Sequence, residues 1–163
     1  MKSSRARVAQ WIASAAGAGY IPFVPGTWGS IVGLLLDLIV RRLGSPSLQS
    51  GLHAGLIVGV LFLGVWASSV SEREVSRKDP SFVVIDEVAG MLLSTYFITL
   101  SLWGYAIAFV VFRALDVIKP PPCRWAEKLP SGWGIMMDDV FAGLYTNAFM
   151  RLLVFVSSVF GSV

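Results

Sequence analysis

Acidic residues in apolar surroundings are the first sign of chemistry in this 163-residue chain, which has ten acids in all. A charged side chain at the centre of a membrane helix costs about 2.5 to 3.5 kcal/mol on insertion scales. Acids kept there therefore indicate function. Six lie inside or beside apolar segments: Asp37, Asp86, Glu87, Asp116, Asp138 and Asp139.

Five of these acids fall at the ends of apolar segments, four of them as the adjacent pairs Asp86–Glu87 and Asp138–Asp139, with Asp116 as the fifth. Carboxylates that converge repel one another unless a cation or protons intervene, and hard divalent ions prefer oxygen ligands. We therefore predict that the five acids form a catalytic Mg²⁺ site. The alternative is that each pair only begins a helix, where carboxylates favour the positive end of the dipole.

Arg113, Asp116 and Lys119 are spaced three apart, which on a helix predicts one inclined stripe with a carboxylate between two cations. In a functional interpretation, Asp116 takes the metal while Arg113 and Lys119 bind phosphate oxygens. In a structural interpretation, the stripe is an intrahelical ion pair near a helix carboxyl end.

Residues 25–30, with the sequence PGTWGS, open the first apolar segment and offer two hydroxyls, Thr27 and Ser30, beside the unpaired backbone donors of a helix start. This composition predicts an anion cradle that binds substrate. A plain turn with a helix cap would use the same residues. The stretch is not a P-loop, which ends in glycine, lysine and a hydroxyl residue.

Other phosphatase chemistries are disfavoured by the residues that are missing. Enzymes with a histidine nucleophile need two histidines, and His53 is the only one in the chain. Cys123 is the only cysteine, and Leu129 stands where a cysteine phosphatase would have arginine, so we predict an inert thiol. There is no DxDxT run of an aspartyl-phosphate enzyme and no CDP-alcohol phosphotransferase pattern.

Composition identifies the elements that must position these residues. The chain is 55% hydrophobic and only 14% charged, whereas soluble domains carry roughly 25% charged residues. We predict one domain over residues 1–163, an all-α, small polytopic membrane bundle of about five apolar helices. Asp37 and the following arginines make the first helix short or re-entrant. The segments are 31–43, 52–70, 88–103, 105–118 and 140–160.

Basic residues indicate the orientation of the bundle. They cluster in the connectors 71–81 and 119–134, with an uncharged turn at 101–104. Positive connectors favour the cytoplasmic side, and five spans then place both acidic pairs and Asp116 on that side. Arg41 and Arg42 are exceptions that can snorkel to the interface. The clusters are topology signals rather than a nucleic-acid surface.

Three further interpretations were weighed. The basic start before residues 11–19 resembles a signal peptide, but glycines interrupt that apolar run. Intramembrane acids also mark ion or proton transporters, although clustering at one membrane face favours chemistry on a lipid head group. Gly55 and Gly59 predict close packing between helices within the chain, and the oligomeric state stays unknown.

Four motifs in order resemble the phosphatidylglycerophosphatase A family, over about residues 17–145. They are GYIPFVPGTWGS at 19–30, DEVAGM at 86–91, FRALDVIKP at 112–120 and GIMMDDVFAG at 134–143. Two positions depart from the family pattern. Ser131 stands where a second glycine is expected, and Asp37 has no counterpart.

The resemblance implies a bacterial inner-membrane enzyme with a cytoplasmic site. It would hydrolyse phosphatidylglycerophosphate to phosphatidylglycerol with Mg²⁺, on the path to cardiolipin. Its partners would then be membrane lipids and this phospholipid substrate. Hydrolysis of a different lipid phosphate is the alternative within the same class of enzyme.

Overall fold

The computed structural model describes residues 3–160, and within that range every regular element is helical, as the sequence predicted. A single 3-10 turn, Ala18–Tyr20, lies between the first two α-helices. The seven α-helices of the described range are α1 (Ser4–Ala13), α2 (Pro25–Val40), α3 (Pro46–Val75), α4 (Ile85–Thr95), α5 (Leu102–Ile118), α6 (Cys123–Ala126) and α7 (Gly132–Phe160).

Two helices are long and apolar enough to cross a membrane, α3 with 30 residues and α7 with 29. About 20 apolar residues suffice for a span. In the most apolar stretch of each helix only 22% is buried inside the protein, whereas the core helix of a soluble protein would be mostly buried. The outer faces of α3 and α7 thus suit a lipid environment, and α2 is a shorter apolar helix of 16 residues.

The predicted third segment, residues 88–103, is not one helix. α4 ends at Thr95 and α5 begins at Leu102, so the prediction of a turn at 101–104 is wrong and the turn lies at 96–101. Ser101 sets the new helix start, because its side chain accepts a hydrogen bond from the Gly104 N–H. With 11 residues, α4 is only about 16 Å long.

This short helix is the centre of the bundle. α4 packs against α2, α3, α5 and α7, and eight of its eleven residues are buried. The crossing with α7 is close because it lies at Gly90, where a Cβ atom would come within 2.8 Å of the Asp139 carbonyl oxygen. The absence of a side chain at Gly90 therefore lets α7 bring Asp139 up against α4.

Side chains from neighbouring helices satisfy the carboxyl end of α4. The last carbonyls of a helix have no partner within it, and in apolar surroundings water cannot replace one. Three donors reach them: His53 Nε2 to Leu92 at 3.0 Å, Asn147 Nδ2 to Leu93 at 2.9 Å, and an Arg41 guanidinium nitrogen to Thr95 at 2.8 Å. These bonds allow a helix to end inside the bundle.

Asp37, for which the sequence offered no role, orients one of these donors, Arg41, and lies close to a second, His53. Its carboxylate is fully buried, with Oδ2 2.8 Å from Arg41 Nε and Oδ1 3.2 Å from His53 Nδ1. The same contacts explain why Arg41 stands on the side predicted to lack positive charge. It caps α4, while Arg42 is exposed.

Gly55 and Gly59 do not mediate packing within the chain, so that prediction is wrong. A Cβ atom added at either position would meet nothing within 4 Å. Sequence spacing identified a face of α3 with small residues, but it did not show that this face points away from the other helices.

A carboxylate cluster as candidate active site

Three carboxylates meet at the end of the bundle opposite Asp37. Asp86 and Glu87 lie in the first turn of α4, and Asp139 comes from α7. One oxygen of each lies within 4.8 Å of the others. Asp139 is 2% exposed, and the other two are half-buried. The structure thus brings together three of the five acids that the sequence predicted to form one site, although Asp139 is more than fifty positions from the other two.

The alternative explanation, that each acidic pair only begins a helix at the positive end of its dipole, accounts for part of the cluster. Asp86 and Glu87 do lie in the first turn of α4. The predicted start of the fifth segment at residue 140 is wrong, however, because α7 begins at Gly132. Asp138 and Asp139 are therefore about two turns into that helix, where the dipole of a helix end no longer stabilises a carboxylate.

Several oxygens of the cluster, and one of the adjacent Asp138, have no hydrogen-bond partner among the described residues although they are buried. Leaving a buried carboxylate oxygen unpaired is costly, so such oxygens favour a cation between them. A hard divalent ion such as Mg²⁺ fits this donor set, because it takes oxygen ligands from a few carboxylates and keeps the remaining positions for water and phosphate. The unpaired atoms are Asp86 Oδ1, Glu87 Oε2, Asp138 Oδ1 and Asp139 Oδ2.

Arg113 and Asp116 flank the cluster from α5 as an ion pair. An Arg113 terminal nitrogen lies 2.7 Å from Asp116 Oδ2 and 3.6 Å from Glu87 Oε1. This is the intrahelical pair that the sequence analysis had weighed against direct phosphate binding. Asp116 lies outside the group of three converging acids, and its partner guanidinium links α5 to Glu87.

Lys119 is not part of a helical stripe, so that prediction is wrong. α5 ends at Ile118, and Lys119 has a left-handed backbone with φ 50°, because the proline that follows disfavours the helical conformation. Its Nζ lies 2.6 Å from Asp138 Oδ2 and also pairs with Glu127. Burial alone would lower the pKa of this amino group, but the hydrogen bonds to the two carboxylates outweigh it and raise the pKa above its usual range.

The start of α2 lies against the same cluster. A Cβ atom at Gly26 would overlap Glu87 Oε1 and lie 2.9 Å from the terminal nitrogens of Arg113. The Ser30 hydroxyl is buried and donates to the Gly26 carbonyl at 2.9 Å, so it bonds to its own helix. Thr27 is half-buried in the first turn. Gly26 was not predicted as a site residue, although its place in PGTWGS at the start of α2 is a signal for one.

Cys123 and His53 are placed as poor nucleophiles. Burial raises the pKa of the Cys123 thiol, which keeps it protonated and unreactive. His53 belongs to the polar network at the other end of the bundle. The sequence prediction of an inert thiol agrees with this environment.

Comparison with known proteins gives a consistent result. The model of the phosphatidylglycerophosphatase A family matches residues 11–154. A Haemophilus influenzae phosphatidylglycerophosphatase A is 35% identical over 79% of this chain and 78% of its own. The Escherichia coli phosphatidylglycerophosphatase A is 30% identical over 84% and 78%, respectively.

A Bacteroides thetaiotaomicron protein is 34% identical over 80% of this chain and 83% of its own, and carries the name "Putative phosphatidylinositol-3-phosphatase". No solved structure shows a significant match.

Proposed function

The chain belongs to the phosphatidylglycerophosphatase A family and is a phosphatase, and from this premise we propose that it removes the terminal phosphate of phosphatidylglycerophosphate with the help of Mg²⁺. The products are phosphatidylglycerol and inorganic phosphate. The observation that carries the metal dependence is the convergence of Asp86, Glu87 and Asp139 with unpaired buried oxygens.

In this proposal Asp86, Glu87 and Asp139 hold the metal, and Asp116 and Asp138 complete the acidic surroundings. A bound Mg²⁺ would neutralise charge on the phosphate ester and make water more acidic. The protein itself supplies the fixed carboxylates. Because three of them lie within 4.8 Å of one another, their mutual repulsion favours a divalent cation over a monovalent one.

Arg113 and Lys119 support the carboxylates in addition to the phosphate contacts that sequence spacing suggested for them. Each is already paired with a carboxylate, Arg113 with Asp116 and Lys119 with Asp138. They hold those carboxylates in place and reduce the negative charge near a phosphate. The attacking group is either water or an aspartate of the cluster, since Cys123 and His53 are unsuited.

We further propose that the protein lies in the bacterial inner membrane with the cluster facing the cytoplasm. The support is the distribution of positive charge, because the connectors that adjoin the cluster carry the Lys and Arg residues expected on the cytoplasmic side. A lipid head group at that interface would meet the carboxylates without leaving the membrane. Acids at one end also favour this function over ion transport, since the distant Asp37 has a capping role.

A second lipid phosphate is a candidate substrate because of one comparison. The Bacteroides relative is named for hydrolysis of a 3-phosphate on phosphatidylinositol, and its 34% identity to this chain lies between the 35% and 30% of the two phosphatidylglycerophosphatases. Both substrates present a phosphate monoester on a polar lipid head group. The same carboxylate cluster would serve either one.

The test is phosphate release by the purified full-length chain in detergent micelles. We expect release from phosphatidylglycerophosphate, its loss on adding EDTA, and its return with excess Mg²⁺. Phosphatidylinositol 3-phosphate is assayed in parallel, and the higher kcat/KM identifies the preferred lipid. Full activity in EDTA would refute the metal site, and inactivity on both lipids would refute the proposed substrate class.

A further inference from the structure

A cavity of about 370 Å³ adjoins the carboxylate cluster on the side of the connectors. It is formed by the segment after α3, by α6 and by the first turns of α7. Asp138, which directly precedes the proposed metal ligand Asp139 on α7, lines it. Its other charged lining residues are Lys78, Asp79, Arg124, Glu127 and Lys128.

Three of the cations in this cavity have charges that no carboxylate neutralises. Lys78 Nζ donates to the Glu127 main-chain carbonyl at 2.9 Å, and Arg124 donates to the Ile118 carbonyl at 3.2 Å. A carbonyl positions a cation but does not cancel its charge. Within residues 3–160, the carboxylate ion pairs of this region involve Lys119 and Arg113 instead, and neither Arg124 nor Lys128 takes part.

The carboxylates of the cavity are, by contrast, mostly engaged. Glu127 and Asp138 both pair with Lys119, which leaves Asp79 as the remaining acid of the lining. The lining itself holds three cations and three carboxylates. Lys119, which lies outside the lining, pairs with two of those carboxylates, so the three lining cations face Asp79 as the one lining acid without such a pair. Cations in a concave site that lack a carboxylate partner can bind an anion.

Phosphate is the anion that fits the neighbourhood. The two cations nearest the metal ligands, Arg113 and Lys119, each pair with a carboxylate, Asp116 and Asp138, so part of their charge is already compensated. Arg124 and Lys128 lie on α6 and directly after it, one on each side of Glu127, and both are exposed to the cavity. Guanidinium and ammonium groups of this kind bind phosphate oxygens with charge-assisted hydrogen bonds.

We propose that this cavity is a phosphate-binding site in which Lys78, Arg124 and Lys128 hold a phosphate group next to the carboxylate cluster. The phosphate belongs either to the lipid head group before hydrolysis or to the inorganic phosphate released afterwards. The link to a lipid substrate rests on the proposed function. The binding of phosphate by these cations does not.

The experiment measures inorganic phosphate binding and lipid turnover separately. Binding to the detergent-solubilised full-length chain is followed by isothermal titration calorimetry in EDTA, so that it requires neither metal nor catalysis. The variants are Arg124→Ala, Lys128→Ala and Lys128→Glu. The matched control is Arg77→Ala, which removes an exposed cation next to Lys78 but outside the cavity. Circular dichroism confirms the helix content of each variant.

We expect Kd for phosphate to rise at least about fivefold in the Arg124 and Lys128 variants, most in Lys128→Glu, and to stay unchanged in Arg77→Ala. A parallel rise in KM for the lipid identifies the head group as the occupant, and an unchanged KM identifies released phosphate. If the wild type binds no phosphate, or if the cavity variants bind it like Arg77→Ala, the proposal is overturned. Phosphate binding that depends on Lys128 in a protein without lipid turnover would instead count against the proposed function alone.

Discussion

Replacing Gly26 by alanine tests whether the start of α2 positions the carboxylate cluster. The added methyl group would overlap Glu87 Oε1 and lie 2.9 Å from the terminal nitrogens of Arg113, where ordinary contacts begin at 3.4 Å. Both neighbours are the ends of flexible side chains, so they can move without disturbing the backbone. We therefore expect Gly26→Ala to fold normally and to displace Glu87.

The size of the effect follows from the geometry. To restore ordinary contact, the Glu87 carboxylate must move by more than about 1 Å, and misplacement of this size costs about a hundredfold in rate. That factor corresponds to about 2.7 kcal/mol in the barrier to catalysis. The effect on unfolding should be small, since alanine is favoured over glycine in a helix by about 1 kcal/mol and offsets part of the local crowding.

The assay compares kcat/KM for phosphate release with the thermal unfolding midpoint of the same preparation. Gly55→Ala is the matched control, because it makes the same change in a helix where a Cβ would meet nothing within 4 Å. It should retain full activity. If Gly26→Ala keeps activity within twofold of wild type while Glu87→Gln loses it, the assigned contact between α2 and the cluster is incorrect.

Three other changes give independent tests. Asp139→Asn should lower kcat/KM more than about a hundredfold, because it removes a proposed ligand, whereas Glu74→Gln on the exposed end of α3 should leave it unchanged; equal activities would argue against the metal site. Asp37→Asn should lower the free energy of unfolding by about 3 to 5 kcal/mol, since it leaves Arg41 without its buried partner. Denaturant titration measures this change against Arg42→Ala, an exposed control, and equal unfolding free energies in the two variants would contradict the prediction. The raised pKa of Lys119 means that its ion pairs stabilise the fold below its ordinary pKa of 10.5 and are lost only as pH rises through the raised value. The difference in unfolding free energy between wild type and Lys119→Met should therefore stay constant from about pH 7 to pH 10, and a decline within that range would contradict the assignment.

Chain position predicted the convergence of the acids but not their exact partners. Asp86 and Asp139 could be placed at the same end because five alternating spans put the starts of the third and fifth segments on one side of the membrane. Their unpaired oxygens, the pairing of Lys119 with Asp138, and the closeness of Gly26 to Glu87 depend on side chains brought together from different helices. Lys119 shows the limit most clearly, since a spacing of three suggested a helical stripe that its left-handed backbone does not allow.

Helix boundaries in the central region were likewise outside the reach of hydropathy. Residues 88–103 are apolar throughout, and apolarity does not reveal that α4 ends at Thr95. That end is possible only because Arg41, His53 and Asn147 supply donors to its carbonyls. The structural role of Asp37 could therefore not be predicted from the sequence, whereas its contact with Arg41 shows that role in the structure.

The sequence by itself determined the all-helical class, the family and the kind of chemistry, because composition, motif order and the cost of an intramembrane carboxylate are all local properties. Tertiary structure decided which carboxylates converge and which cations are already neutralised. It also separated the buried acid that serves the fold, Asp37, from those that serve the site. The physical reason is that charge pairing and metal binding depend on distances of a few ångströms between residues far apart in the chain, and packing alone sets those distances.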